Sequence, residues 1–471
     1  MLFPTFEFAV FFCLTFVVSW LLRPRPLAWR LFILAASYVF YSWWNPRFVL
    51  LLAASTVVNQ LASVAIHRNH DDKQRRLLLA GTVVANLGVL AYFKYYGFFV
   101  TSVADGFARL GLEVDPPLLQ VILPVGISFF TFQALSYVID TYRGDTEPAP
   151  FLDFAVYLSF FPHLVAGPIV RARELLPQLN EIPDPRRLDA ALALRLIFAG
   201  LFKKVVISSF VASAIVEPVF ANPDAHTNWE ILWAIYAYAI QIYADFSGYT
   251  DIAIGCALLL GLRFPQNFDA PYTATSIQSF WRRWHITLSS WLRDYLYIPL
   301  GGSSGSERRT ERNLLLTMVI GGLWHGAAWT FVVWGAIHGV ALVIERRWTA
   351  RRVAAGRVDQ PWTPVVRWVV TFQVVCLAWV FFRSETLEQA MSMLVGLVTR
   401  WGVGTLVKPM LVFVVVAMLA AQFVPTRFVE AGEVAFSRTA PIVQGVALAL
   451  GFLVIDALGP TGVAPFIYFR F

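Results

Sequence analysis

Apolar residues in this chain run in long blocks rather than alternating with polar ones. Such blocks recur near residues 5–22, 28–44, 48–66, 77–93, 117–138, 151–170, 191–216, 229–262, 313–344, 364–382, 409–424 and 441–457. Crossing a hydrocarbon core about 30 Å thick takes roughly 20 mainly apolar residues in a helix, and several blocks are long enough to be two segments or one bent one, so the pattern predicts about 11 to 13 membrane helices. Helices are expected because lipid leaves backbone groups no partner outside the segment, and the period-two alternation of a membrane barrel is missing. The first block begins almost at Met1 without a preceding basic region or a following small-residue cleavage site, so it is expected to be a retained helix. No Ser/Gly linker, acidic tail or repeat interrupts the pattern, which predicts one membrane domain over residues 1–471.

Three longer polar connections, Tyr142 to Pro150, Arg171 to Leu188 and Gly261 to Arg312, are expected to lie on or dip into the membrane. The last holds a moderately apolar stretch from Ser276 to Leu300. In it Trp281, Trp284, Leu288, Trp291, Leu292 and Tyr295 recur at helical spacing, while Arg282, Arg283, Arg293 and Asp294 take other positions. This predicts an amphipathic helix, too polar to span and suited to an interface or a cavity mouth, ended by Pro299, Gly301 and Gly302.

Composition reinforces the membrane reading, since only 14% of residues are charged and 58% are hydrophobic, with a mean hydropathy of +0.62, against roughly 25% charged in a soluble domain. The net charge of +7 sits in short loops: Arg23, Arg25 and Arg30; Arg68, Lys73, Arg75 and Arg76; Arg346, Arg347, Arg351 and Arg352. That is the signature of cytoplasmic loops with the N-terminus outside, not of nucleic-acid binding. Cys13, Cys256 and Cys376 fall in or beside apolar blocks and read as small core residues, with no disulfide or metal framework. There is no P-loop, no Gly-x-Ser-x-Gly elbow and no His-Glu-x-x-His pair, so neither ATP nor a metal is indicated.

Ionisable groups inside apolar blocks are costly and therefore informative. His325 lies in Gly321-Gly322-Leu323-Trp324-His325-Gly326, where the glycines let the backbone bend. Its imidazole either takes a proton from an attacking hydroxyl or is a core histidine bonded to a carbonyl. His285 follows Trp284, and on an unbroken helix Ser289 shares its face one turn on. His285 either orients an acceptor or a donor carbonyl, or caps one helix against another. His338, read on one continuous span with His325, would stand well over roughly 15 Å away and would not act with it. His163, in the Pro/Gly-broken Phe161-Pro162-His163-Leu164 stretch, suits a cavity wall. Asp245 and Asp251 fall where the long 229–262 block is expected to bend or re-enter, holding a histidine tautomer or capping a helix.

The strings PVGISFFTFQ from Pro124, FFPHLVAGPIVR from Phe160, YADFSGYTDIAIG from Tyr243, FPQNFDAPY from Phe264, SFWRRWHITLSSWLRDYLYIPLGG from Ser279 and GGLWHGAAWTFVVWGAIHG from Gly321 resemble the membrane-bound O-acyltransferases. They are most similar to the bacterial branch typified by the alginate O-acetylation membrane protein. The matches keep their order over about residues 124–340, and the closing Pro465 to Phe471 resembles that branch's C-terminus.

The resemblance implies an all-α polytopic helical protein around a central tunnel, with His325 as the catalytic histidine and His285 as the second important position on the opposite side. Trp284, Ser289, Trp324, Asp245 and His163 become candidates for the tunnel wall. It further implies a thioester donor, acetyl-CoA, approaching from the cytoplasm, and no permanently bound cofactor. His325 would act as general base or first receive the acyl group, and His285 would donate to the carbonyl oxygen. An extracytoplasmic, periplasmic acetyltransferase partner would complete transfer to a polysaccharide, placing the chain in the bacterial inner membrane. Two readings compete: D-alanyl transfer to teichoic acid by a sister branch, and a transporter or export component whose histidines relay protons, although no internal repeat supports the latter.

Overall fold

The computed structural model describes residues 1–112 and 121–459, and these form helices and loops with no strand. The first part of the block near 117–138 and the closing string from Pro465 lie outside the described residues. Most apolar blocks become helices close to their expected bounds: Phe6–Leu22, Pro26–Ser42, Arg47–Arg68, Asp72–Leu90, Thr363–Arg383, Pro409–Ala421 and Pro441–Leu458.

These helices differ in length and continuity. Among the described residues, Arg47–Arg68, Asp72–Arg109 and Thr363–Arg383 are long and apolar enough to cross a membrane, and a fourth span arises if the pair Pro409–Ala421 and Thr426–Ser437, bent by 97°, is counted as one. Other blocks are shorter or broken. A 17-residue helix such as Phe6–Leu22 is about 25 Å long, at the short end of the range that crosses a hydrocarbon core. The 151–170 block splits into Phe151–Ser159 and Phe161–Leu164 around Pro162, and the 191–216 block is interrupted by π-helical turns at Phe202–Ser208 and Ala212–Val216. The 229–262 block behaves oppositely. It forms one helix, Asn228–Leu259, that passes Asp245 and Asp251 without the expected bend.

The chain forms two compact units. One comprises Met1–Ala190 with Cys256–Pro265. Polar pairs join its helices where lipid offers no partner: Asn59 and Asn86 exchange amide hydrogen bonds at 3.1 and 2.8 Å, and the Tyr137 hydroxyl donates to Gln60 at 2.9 Å. Arg30 pairs with Asp153 at 2.6 Å.

The other unit comprises Ala191–Gly255 and the described residues from Gln266 on. Here the 313–344 block, expected as one or two spans, is a hairpin of Glu307–His325 and Trp329–Ala354. The two legs touch through glycine: a Cβ on Gly322 would meet the Phe331 carbonyl oxygen at 2.2 Å, and one on Gly335 the Met318 carbonyl oxygen at 2.3 Å. Pairings of 322 with 331 and of 318 with 335 make the legs antiparallel. At the open end Arg347 donates twice to Glu311, both bonds at 2.6 Å. The helix Thr363–Arg383 packs against the hairpin through Trp379 on Trp334, ring centres 6.0 Å apart.

Candidate active site

His325 is the last residue of its hairpin leg, where Gly326–Ala328 reverse the chain. It is buried, and three rings meet it nearly edge-on: Trp334 at 4.9 Å, Trp324 at 5.0 Å and Phe382 at 5.2 Å. An imidazole held by aromatic edges has little rotamer freedom, which suits a group that must meet a reacting atom in one orientation.

His285 is positioned by a turn that the sequence did not reveal. The expected helix over Ser276–Leu300 is two short helices, Ile277–Arg283 and Ile286–Leu292, followed by a π-helical turn at Arg293–Tyr297. His285 stands in the break with φ 43° and ψ 55°, a left-handed conformation that costs a residue with a Cβ of order 1–3 kcal/mol. Asn267 holds the turn in place. Its carbonyl oxygen accepts from Ile286 N–H at 2.9 Å, and its side-chain oxygen accepts from Thr287 N–H at 3.2 Å and the Thr287 hydroxyl at 2.9 Å.

That same Asn267 oxygen lies 3.1 Å from His285 Nδ1. A backbone N–H can only donate, so the Thr287 contact identifies the Asn267 atom as oxygen, and His285 must then carry its proton on Nδ1. Nε2 keeps the lone pair and has no protein partner among the described residues. The neutral ring therefore accepts at Nε2, whereas donating there to a carbonyl oxygen requires a protonated ring. Phe246 closes on His285 edge-to-face at 4.6 Å.

Trp324 lies between the two histidines, 6.1 Å from His285 and 5.0 Å from His325 by ring centres. Trp284 belongs to the packing around this group, against Phe268, Phe280 and Trp379. Ser289 donates to the Trp284 carbonyl at 3.1 Å and lines a cavity of about 710 Å³ whose wall also carries Trp281, Arg282, Arg293, Arg346, Glu307, Glu345 and Leu342. Since His285 is outside the helix, the shared helical face expected for it and Ser289 does not exist.

Asp245 is not at a bend. It is buried and ion-paired with Lys204, while Asp251 pairs with Lys203 at 2.5 Å. Both lysines belong to the π-helical turn at Phe202–Ser208, beside a close approach of Gly200 and Gly248 in which a Cβ on Gly200 would meet the Gly248 carbonyl at 2.5 Å. One buried and one half-buried ion pair at a glycine crossing clamp one helix to another. His163 belongs to the first unit, fully buried, with its Nε2 donating to the Tyr157 carbonyl at 2.9 Å and its ring among Phe160, Tyr157 and Phe264. Its Nδ1 is buried with no protein partner among the described residues.

His338 corrects the sequence reading. Because the chain turns back after His325, the two rings are not separated along one continuous helix: Trp334 lies 4.9 Å from His325 and 5.0 Å from His338. No sequence pattern announced Asn267, Trp334 or His338 as parts of this group. The Gly326–Ala328 break was the available signal for the last two. Among the described residues no cluster of three or more His, Cys, Asp or Glu side chains is arranged to hold a metal ion.

The profile of the membrane-bound O-acyltransferase family matches residues 35–383. A probable alginate O-acetylase from Azotobacter vinelandii is 43% identical over 430 residues, covering 90% of this chain and 84% of that protein. A peptidoglycan O-acetyltransferase from Helicobacter pylori is 39% identical over 408 residues, 80% and 75% of the two chains. A teichoic acid D-alanyltransferase from Streptococcus thermophilus is 29% identical over 282 residues, 55% and 68% of the two.

Proposed function

Because the chain belongs to the membrane-bound O-acyltransferase family, we propose that it draws an acetyl group from a cytoplasmic thioester, acetyl-CoA, and delivers it across the bilayer for O-acetylation of an extracytoplasmic polysaccharide. That it is an O-acyltransferase and a multi-pass membrane protein is the premise. The donor, the direction and the acceptor are the proposal. The observation that carries it is the pair of buried imidazoles, His285 and His325, facing one indole, Trp324, in a site built of apolar rings.

In the proposed step His325 takes the proton of an acceptor hydroxyl as its oxygen attacks the thioester carbonyl. A C–O bond forms, the C–S bond breaks, and the proton passes from His325 to the departing thiolate, so no net charge is left behind. His285 accepts at Nε2 from a neighbouring hydroxyl of the acceptor and so orients the one that reacts. Trp334 packs on His325, and its indole N–H has no protein partner among the described residues. It is the donor for charge developing on the carbonyl oxygen.

The arginine-bearing cavity is the entrance proposed for a phosphorylated donor. A periplasmic acetyltransferase partner completes delivery, and the chain resides in the bacterial inner membrane. D-alanyl transfer is the second reading, disfavoured by the lower identity and coverage of the teichoic acid relatives beside the O-acetylases.

The test is transfer of radiolabelled acetyl from acetyl-CoA in proteoliposomes, with and without the periplasmic partner, comparing the native protein with His325→Ala at equal folded amounts. Label that moves only with His325 present supports both the activity and the residue. Equal transfer by the variant rejects His325, and absence of transfer in every condition rejects the donor.

A further inference from the structure

On the hairpin leg Trp329–Ala354, the residues Trp334, His338 and Leu342 recur every four positions and so lie along one stripe. At one end of the stripe Leu342 lines the 710 Å³ cavity, as does Trp281. At the other end Trp334 packs on His325. His338 is the step between them: its ring lies 5.1 Å from Trp281 and 5.0 Å from Trp334, stacked on Phe280 at 6.0 Å.

His338 is fully buried, yet neither of its ring nitrogens meets a protein partner among the described residues. A buried polar group left unpaired costs about 1–3 kcal/mol. Packing does not need a histidine here, because a phenylalanine of similar shape would stack on Phe280 without that cost. The ring is therefore matched to a group that arrives from outside the fold.

We propose that His338 binds an amide of the donor's pantetheine arm as that arm passes from the arginine-bearing cavity toward His325. The inference rests on the thioester-donor reading above. A neutral imidazole offers one N–H and one lone pair, and a secondary amide offers the complementary carbonyl and N–H. A pantetheine arm carries two such amides and no charge between its phosphate and its sulfur, which suits surroundings made of aromatic rings. Arg346 at the cavity and Trp334 beside His325 are separated by about 18 Å along the helix, the reach of an extended arm rather than of a free acetyl group. No bond is made or broken at His338.

The test measures binding of a thioether analogue of the acetyl donor, which cannot be turned over, to the purified protein in lipid nanodiscs. The thioether is offered on coenzyme A, on pantetheine alone and on a pantetheinylated carrier protein. His338→Phe is expected to keep or raise the melting temperature while weakening binding at least tenfold, by the same factor on each carrier because the amide is common to all three. His338→Gln, which retains a donor and an acceptor, is expected to recover most of the affinity. The strongest native binder among the three identifies the source of the arm. Undiminished binding by His338→Phe overturns the proposal, as does a loss of thermal stability in that variant, which would show that the nitrogens serve the fold. If the native protein transfers acetyl but binds no analogue, the His338 assignment falls alone. If it does neither, the donor reading falls with it.

Discussion

Asn267 decides what His285 can do. Its side-chain oxygen accepts a hydrogen bond from His285 Nδ1–H while its backbone and side chain together hold the left-handed turn on which His285 sits. Asn267→Ala removes that acceptor and leaves the buried His285 Nδ1 unpaired, a loss of about 1–3 kcal/mol of stability. It also frees the ring to change tautomer, so kcat is expected to fall at least tenfold with little change in donor KM. Asn267→Asp, which keeps an acceptor, should retain more activity. Steady-state kinetics of both variants check this, and an unchanged kcat in Asn267→Ala would show that the tautomer does not matter. His325 was legible as an isolated polar residue in apolar sequence, because a buried imidazole is costly enough to stand out, whereas His285, beside Arg282 and Arg283 in a polar connection, was marked by the family resemblance. Asn267 was not legible, because an asparagine in a polar loop has many ordinary uses and its partners are 18 to 20 residues away in the chain.

Elements carry the site through close backbone approach. Gly322 has no room for a Cβ, which would lie 2.2 Å from the Phe331 carbonyl oxygen, whereas nothing lies within 4 Å of the equivalent position on Gly81. Both are helical glycines, so both gain helix propensity on replacement by alanine, about 0.5–1 kcal/mol. At Gly81 that gain should appear as a higher melting temperature. At Gly322 separating the hairpin legs is expected to cost more than the gain, about 1–3 kcal/mol net, with activity lost as Trp334 withdraws from His325. A Gly322→Ala variant as stable and active as the native protein would show that the hairpin tolerates the separation. The open end of the same hairpin is closed by Glu311 and Arg347, whose hydrogen bonds hold the Glu311 carboxyl below its ordinary range. A depressed carboxylate contributes stability in full above its unfolded value of about 4.3 and loses it as pH falls through the lower folded value. The melting-temperature advantage of the native protein over Glu311→Gln should therefore persist at neutral pH and vanish on acidification below that value. The helices themselves were legible from block length, since lipid forces apolar runs into helix. Their breaks were not: the turn at His285 and the reversal after His325 depend on Asn267 and on glycines meeting carbonyls across the hairpin, contacts that a one-dimensional pattern does not contain.

For the whole molecule the decisive asymmetry is charge. The open end of the hairpin carries Arg308, Arg309, Arg312, Arg346, Arg347, Arg351 and Arg352, and basic residues beside membrane helices are retained on the cytoplasmic side. His325 closes the opposite end of a 19-residue leg, about 27 Å from Glu307 along the helix, a distance close to the thickness of a hydrocarbon core. The arginine-bearing cavity at the open end should thus face the cytoplasm, with His325 far from the surface proposed for the donor. A single reporter tests this. Cys256 and Cys376 are buried and Cys13 is exposed, so a Cys13→Ser background leaves no reactive thiol among the exposed described residues, and Ser303, which is exposed and lines the cavity, can be replaced by cysteine. A membrane-impermeant maleimide is expected to label Ser303→Cys in inside-out vesicles and not in right-side-out ones, and acetyl-CoA in excess should slow the labelling by occupying the cavity. Labelling from the outer side would make the cavity an entrance for the acceptor instead, and the route from its arginines past His338 to His325 would have to be assigned to the hydroxyl rather than to the thioester.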